Sequence, residues 1–160
     1  MKVFMCIMYV LLFSYLIYLS YKDIKNYKLE YMETGLLFPI SFICCVLNIM
    51  NSNDLLYTII DTILGVIIVF VLMFAFASIK VKGSNAFGGA DIWVLTILSF
   101  SQTGINNSLI SIMLSCVAFL IYVLARKLFK KEKKDKYAFV PFITVGTIIT
   151  FILRWFGALI

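Results

Sequence analysis

Histidine is absent from this 160-residue chain, and its absence excludes the commonest catalytic arrangements. Ser-His-Asp and Cys-His catalysis need an imidazole to move the proton, and histidine-ligated metalloproteases need it to hold their metal. The four cysteines lie inside apolar stretches and form no Cys-x-x-Cys pair, so they indicate neither a zinc nor a redox site. Lysines cluster near predicted helix ends, which disfavours serine–lysine catalysis. If the chain is an enzyme, carboxylate chemistry remains, and we expect no metal and no cofactor.

Charged residues are also scarce, since they make up 14% of the chain while hydrophobic residues make up 63%. Soluble domains have about 25% charged and roughly 45–50% apolar residues. The apolar residues here form long blocks, of the kind that span a bilayer. No 20–50-residue repeat or linker interrupts them. The composition therefore predicts one all-α domain over residues 1–160, in a polytopic membrane protein.

Six apolar runs approach the length of about 20 residues that a membrane helix requires. The fourth run is the shortest, and it is retained because the alternation of loop charges needs it. The predicted spans are Phe4–Tyr21, Gly35–Met50, Leu56–Ile79, Ala90–Phe100 with flanking residues, Ser108–Phe129 and Tyr137–Phe156.

Basic residues alternate between the loops, and such residues mark the cytoplasmic side of a membrane protein. The first, third and fifth loops carry them, whereas the second and fourth carry none. We therefore expect these three loops in the cytoplasm and both termini outside. The residues concerned are Lys22, Lys25, Lys28, Lys80, Lys82 and the run from Arg126 to Lys136.

The run from Arg126 to Lys136 is the most basic segment, and we expect it to contact anionic lipid headgroups. Steering of a cytoplasmic partner is an alternative role for it. Nucleic-acid binding is not expected, because the cations are divided among several loops and do not form one stripe.

Two of the eight acids, Asp23 and Asp91, lie at the ends of predicted helices on the same expected side of the membrane. Acids at membrane depth are costly and indicate function. Structural roles are open for both: Asp23 could pair with Lys22 or Lys25, and Asp91 could cap its helix. The small residues Gly88-Gly89-Ala90 before Asp91 would let a substrate strand or a second carboxylate approach closely.

A pair of carboxyl groups in contact can perform hydrolysis without a metal. The two groups share one proton because they cannot easily both ionise. The ionised member accepts a proton from water as it attacks a peptide carbonyl, and the protonated member donates to the carbonyl oxygen. The residues alone do not decide which aspartate is acid and which is base.

Three segments resemble motifs of the type IV prepilin peptidases, which are membrane aspartyl proteases of the GxGD type. They are Ser20-Tyr21-Lys22-Asp23, Gly88-Gly89-Ala90-Asp91-Ile92 and the proline-containing Phe139-Val140-Pro141-Phe142. The family usually has glycine where this chain has Ala90, and often lysine where it has Trp93.

The resemblance implies six helices in the bacterial cytoplasmic membrane and a catalytic pair, Asp23 and Asp91, that faces the cytoplasm. It also implies cleavage of the leader peptide from type IV prepilin or pseudopilin substrates. The first predicted helix begins almost at Met1, so we expect a peptidase-only form without an N-terminal methyltransferase region. Two other classes stay open, a non-enzymatic scaffold of a pilus or secretion assembly and a small proton-coupled transporter.

Overall fold

Six helices make up almost all of the structure, a computed structural model that describes residues 2–27, 29–78, 80–81, 84–85, 88–130 and 137–157. A two-residue antiparallel ladder pairs β1, Lys80–Val81, with β2, Ser84–Asn85. The helices are α1 Lys2–Asn26, α2 Tyr31–Met50, α3 Leu55–Ser78, α4 Gly89–Gln102, α5 Ile105–Lys130 and α6 Val140–Trp155. Residues 131–136, which complete the basic run expected to contact lipid, lie outside the described residues.

The four helices α1, α2, α3 and α5 are long and apolar enough to cross a membrane. The other two are shorter, with 14 residues in α4 and 16 in α6. At 1.5 Å per residue these two are about 21 and 24 Å long, less than the roughly 30 Å of a hydrocarbon core. The predicted fold class, an all-α polytopic membrane protein, is confirmed.

Most helix boundaries differ from the predicted spans by a few residues, among them the starts of α2 and α6. Helix α2 begins at Tyr31 instead of Gly35, since Glu33 lies in its first turn and its side chain accepts a hydrogen bond from the Glu30 amide at 3.4 Å. Helix α6 begins at Val140 instead of Tyr137, with Pro141 in its first turn, where proline is tolerated. Both differences shift the start of a helix near the predicted site.

The helices run alternately up and down, so the bundle has two ends that contain different residues. At one end the C-terminus of α1 meets the N-termini of α2 and α6; we call it the Asp23 end. At the other, Tyr9 of α1 and Asn48 of α2 meet the C-terminus of α4; we call it the Asn48 end. Helices α2 and α6 each pack against both α1 and α4, so α1 and α4 share two neighbours.

The C-terminus of α4 lies at the Asn48 end, and its carbonyl groups must be satisfied there by other residues. Side chains from four helices donate to them at 3.0–3.3 Å. Tyr9 and Asn48 bind the carbonyl oxygen of Ser101, Arg154 binds that of Gln102, and Asn107 binds those of Gln102 and Thr103.

Helices α5 and α6 pack closely through small residues, as membrane helices commonly do. Gly146 of α6 faces Ser111 and Ser115 of α5, and Thr147 shares a hydrogen bond with Ser111 at 3.3 Å. A Cβ on Gly146 would lie 2.7 Å from the carbonyl oxygen of Ser111 and 2.9 Å from the amide nitrogen of Ser115. There is therefore no room for a methyl group at this contact.

Replacing Gly146 with alanine should lower the stability of the protein, because the two helices must move apart to admit the methyl group. We expect a loss of about 1–3 kcal/mol, the usual cost of overpacking. Thermal unfolding of the purified protein in detergent measures it. Gly35→Ala is the matched control, because a Cβ there meets nothing within 4 Å. Equal melting temperatures for both variants would contradict the close contact at Gly146.

Candidate active site

Asp23 lies in the last turn of α1 and is buried, with 7% of its surface exposed. Its Oδ2 accepts a hydrogen bond from the backbone amide of Val140, the first residue of α6, at 3.1 Å. The amide of Phe139 also faces the carboxylate. The carboxylate thus caps the N-terminus of α6, where unpaired amides and the helix dipole favour an anion.

A second polar contact fixes α1 against α6 beside Asp23. Ser20 and Thr144 share a buried hydrogen bond of 2.7 Å between their hydroxyl oxygens. Ser20 precedes Asp23 by three residues and Thr144 follows Val140 by four, so each pair occupies one helix face. Ser20 also donates to the carbonyl oxygen of Leu16 at 2.8 Å. These contacts hold the Asp23 carboxylate at a fixed position.

Asp91 lies in the first turn of α4 and is half-buried. Its Oδ2 accepts a hydrogen bond from the backbone amide of Gly88 at 3.1 Å. The capping role that was open for Asp91 is therefore present. Asp91 lies at the same end of the bundle as Asp23, because α4 begins at the end of the bundle where α1 ends.

The two carboxyl groups are close enough to influence each other. Burial is the main cause that raises the pKa of Asp91 to about 7, and repulsion from the Asp23 carboxylate is the second cause. The hydrogen bond from Gly88 opposes that rise. The structure therefore brings together two residues that lie 68 positions apart in the chain. A proton held on Asp91 near neutral pH relieves the repulsion between them.

Gly88 and Gly89 leave room for specific side chains at this site. A Cβ on Gly88 would lie 3.2 Å from Oδ2 of Asp91, and a Cβ on Gly89 would lie 3.0 Å from the hydroxyl oxygen of Tyr31. The start of α2 thus approaches the start of α4 through Tyr31, a contact that the sequence alone did not indicate. Ala90 is half-buried within the first turn of α4, where alanine is the best helix former.

Lys22, one of the two lysines that could pair with Asp23, pairs with another acid. Lys22 forms an ion pair with Glu33 of α2, and Tyr15 donates a hydrogen bond of 2.8 Å to the backbone carbonyl oxygen of Glu33. These contacts join α1 to α2. Asp23 is stabilised instead by the backbone of α6. Among the described residues, no cluster of three acids or cysteines could hold a metal ion.

A comparison with protein-family models decides the family. The model of the type IV leader peptidase family matches residues 10–124, well over half of the chain and including both aspartates. The chain belongs to this family. Type IV leader peptidases are proteases, and family membership confirms the resemblance noted in the motifs around Asp23 and Asp91. The third motif, Phe139-Val140-Pro141-Phe142, lies beyond the matched residues. The match ends before α6, whose N-terminus caps Asp23. Searches of curated proteins and of solved structures gave no match.

Replacing Asp23 with alanine should destabilise the protein more than replacing it with asparagine. Alanine leaves the buried amide of Val140 without its acceptor, at a cost of about 1–3 kcal/mol. Asparagine retains a carbonyl oxygen that accepts the same hydrogen bond. Thermal unfolding in detergent compares the variants directly. If alanine and asparagine lowered the melting temperature equally, the capping role of the side chain would be wrong.

Proposed function

We propose that this protein is an aspartyl endopeptidase that removes the leader peptide from type IV prepilin-like substrates at the cytoplasmic face of the membrane. Family membership supports a protease of this general type. The observation that carries the specific proposal is the position of Asp23 and Asp91 at one end of the bundle, where the Asp23 carboxylate contributes to the raised pKa of Asp91. Carboxyl pairs that share a proton can activate water without a metal.

The local environments favour different roles for the two acids. Asp23 accepts a hydrogen bond from the N-terminus of α6, which favours its ionised form against the burial that opposes ionisation. Asp91, with its pKa raised to about 7 by burial and by Asp23, suits the protonated partner. We therefore assign Asp23 as the general base and Asp91 as the general acid of the first step.

The reaction then proceeds in two proton-balanced steps. Asp23 takes a proton from water as the water oxygen attacks the peptide carbonyl, and Asp91 gives its proton to the carbonyl oxygen. The tetrahedral intermediate collapses when Asp91 recovers that proton and Asp23 donates its own to the departing amine. The C–N bond breaks, and both acids return to their starting protonation states.

The position of the acids supports cleavage at a membrane surface. Both lie in a terminal turn of a helix, where water and an extended segment of substrate are available. Lys22 and Lys25 lie at the same end of the bundle, and such basic residues favour the cytoplasmic side. Proton sites of transporters normally lie deeper in a membrane, so the position disfavours that alternative.

A non-catalytic scaffold is the second candidate, and a specific observation favours it. Both aspartates cap helices, and such contacts would retain the acids even without catalysis. A scaffold needs their hydrogen bonds, whereas a peptidase also needs their ionisable protons. Replacement by asparagine separates the two functions, because asparagine can accept a hydrogen bond but cannot act as a general acid or base.

Co-expression with candidate prepilins tests the proposal. Asp23→Asn and Asp91→Asn should each reduce leader removal at least about 100-fold, since each change removes a proton-transfer group. The measurement is the mass of the substrate, which locates the cleaved bond. Thermal unfolding of each variant shows whether the fold is retained.

Asp54→Asn is the matched control. Asp54 is exposed at the Asn48 end and caps α3 through the amide of Tyr57 at 3.1 Å. This variant should process the substrate at the wild-type rate. Full processing by either active-site variant would refute the catalytic pair. Processing by none of the proteins, across several prepilins, would favour the scaffold.

A further inference from the structure

A cavity of about 730 Å³ opens at the Asn48 end, far from the aspartate pair. Tyr9 lines it and lies 14 residues before Asp23 on α1, so the two sites are separated by about 21 Å along the helix. The volume falls within the range of about 300–1,000 Å³ that is typical of ligand sites. The proposed peptidase reaction makes no use of this cavity.

Two opposite charges line the cavity without neutralising each other. Asp61 of α3 accepts a hydrogen bond from the Ile105 amide at 3.3 Å, and Arg154 of α6 donates one to the Gln102 carbonyl oxygen at 3.1 Å. The two side chains form no ion pair with each other. Each is thus held by the backbone of the turn between α4 and α5, with space between them.

The spacing of these charges is limited by that turn. Gln102 and Ile105 are three residues apart, so their backbone atoms can be separated by no more than about 10 Å. A small molecule with a positive and a negative group on a short linker could therefore reach both charges at once. The cavity suits a zwitterion better than a simple ion of either sign.

Thr103 is a second indication of a ligand-binding site in this cavity. It is 6% exposed, it lines the cavity, and its hydroxyl has no hydrogen-bond partner among the described residues. Its backbone has φ of +45°, which is uncommon for a β-branched residue. A buried hydroxyl without a partner is costly, and a ligand that accepts a hydrogen bond from it would remove the cost. Thr103 follows Gln102, so this acceptor would lie near Arg154.

Exposed aromatic residues border the cavity at the helix ends. Tyr57 is 66% exposed and Trp155 is 55% exposed, and both line the opening. Tyrosine and tryptophan in such positions mark the level of lipid headgroups in a membrane protein. A headgroup could therefore enter the cavity while its acyl chains remain beside the apolar helices.

We propose that this cavity binds an ammonium–phosphate zwitterion, a phosphoethanolamine group. Asp61 accepts hydrogen bonds from the ammonium, while Arg154 and Thr103 donate to the phosphate. The group is supplied as the headgroup of phosphatidylethanolamine or as a free small molecule. The site binds independently of the peptidase reaction at the other end of the bundle.

Native mass spectrometry of the full chain tests the proposal. The protein is reconstituted in nanodiscs that contain equal amounts of phosphatidylethanolamine and phosphatidylglycerol, and the lipid retained on release is identified. Wild type should retain phosphatidylethanolamine about tenfold more than phosphatidylglycerol, which lacks an ammonium. Asp61→Asn should reduce this preference to near equality while still accepting the hydrogen bond from Ile105. Arg154→Gln should reduce retention of both lipids.

Asp54→Asn is again the control, because Asp54 is an acid of the same end that does not line the cavity. It should keep the wild-type preference. A second arm adds soluble phosphoethanolamine: release of the retained lipid identifies a site open to free molecules, and no release identifies a site for the lipid itself. Equal retention of both lipids by wild type, or an unchanged preference in Asp61→Asn, would overturn the proposal.

Discussion

Backbone groups at the ends of the helices impose the main constraint on this molecule, because a helix leaves them unpaired and burying them without a partner is costly. The chain satisfies them with side chains from other helices. Asp23 of α1 binds the first amide of α6, and Asp61 of α3 binds the first amide of α5. At the C-terminus of α4, Tyr9 and Asn48 donate hydrogen bonds to a carbonyl group of that helix. The same contacts that stabilise the helix ends also hold the helices in register with one another.

This constraint explains how one residue can serve both the fold and the proposed chemistry. The amides of α6 fix the position of Asp23, and the amide of Gly88 fixes that of Asp91. Carboxylates held in this way are preorganised, so little reorientation is needed when a proton moves. The bond from Gly88 favours the charged form of Asp91, but burial and the neighbouring Asp23 outweigh it. The result is a pair of acids in one place with unequal environments.

The sequence was sufficient to predict the fold class and to predict that both aspartates lie at the same end of the helices. Long apolar blocks indicate membrane helices, and the loop lysines predict the direction in which they cross. It did not indicate that the amide of Val140 binds Asp23, because a backbone group leaves no trace in residue type and lies 117 positions away. The contact of Gly146 with α5 was also missed, since a single glycine in an apolar run has no distinctive pattern. The sequence also did not indicate that Asn48 and Arg154 donate hydrogen bonds to carbonyl groups at the end of α4.

The central claim is that Asp23 and Asp91 act as one titrating pair. The most direct test is a carboxyl ¹³C NMR titration of Asp91, performed on wild type and on Asp23→Asn in the same detergent. In wild type the Asp91 carboxyl should titrate with a pKa of about 7. In Asp23→Asn that pKa should fall, because the repulsion that favours the protonated form is gone. An identical pKa in the two proteins would show that the carboxyl groups do not interact, and would contradict the account.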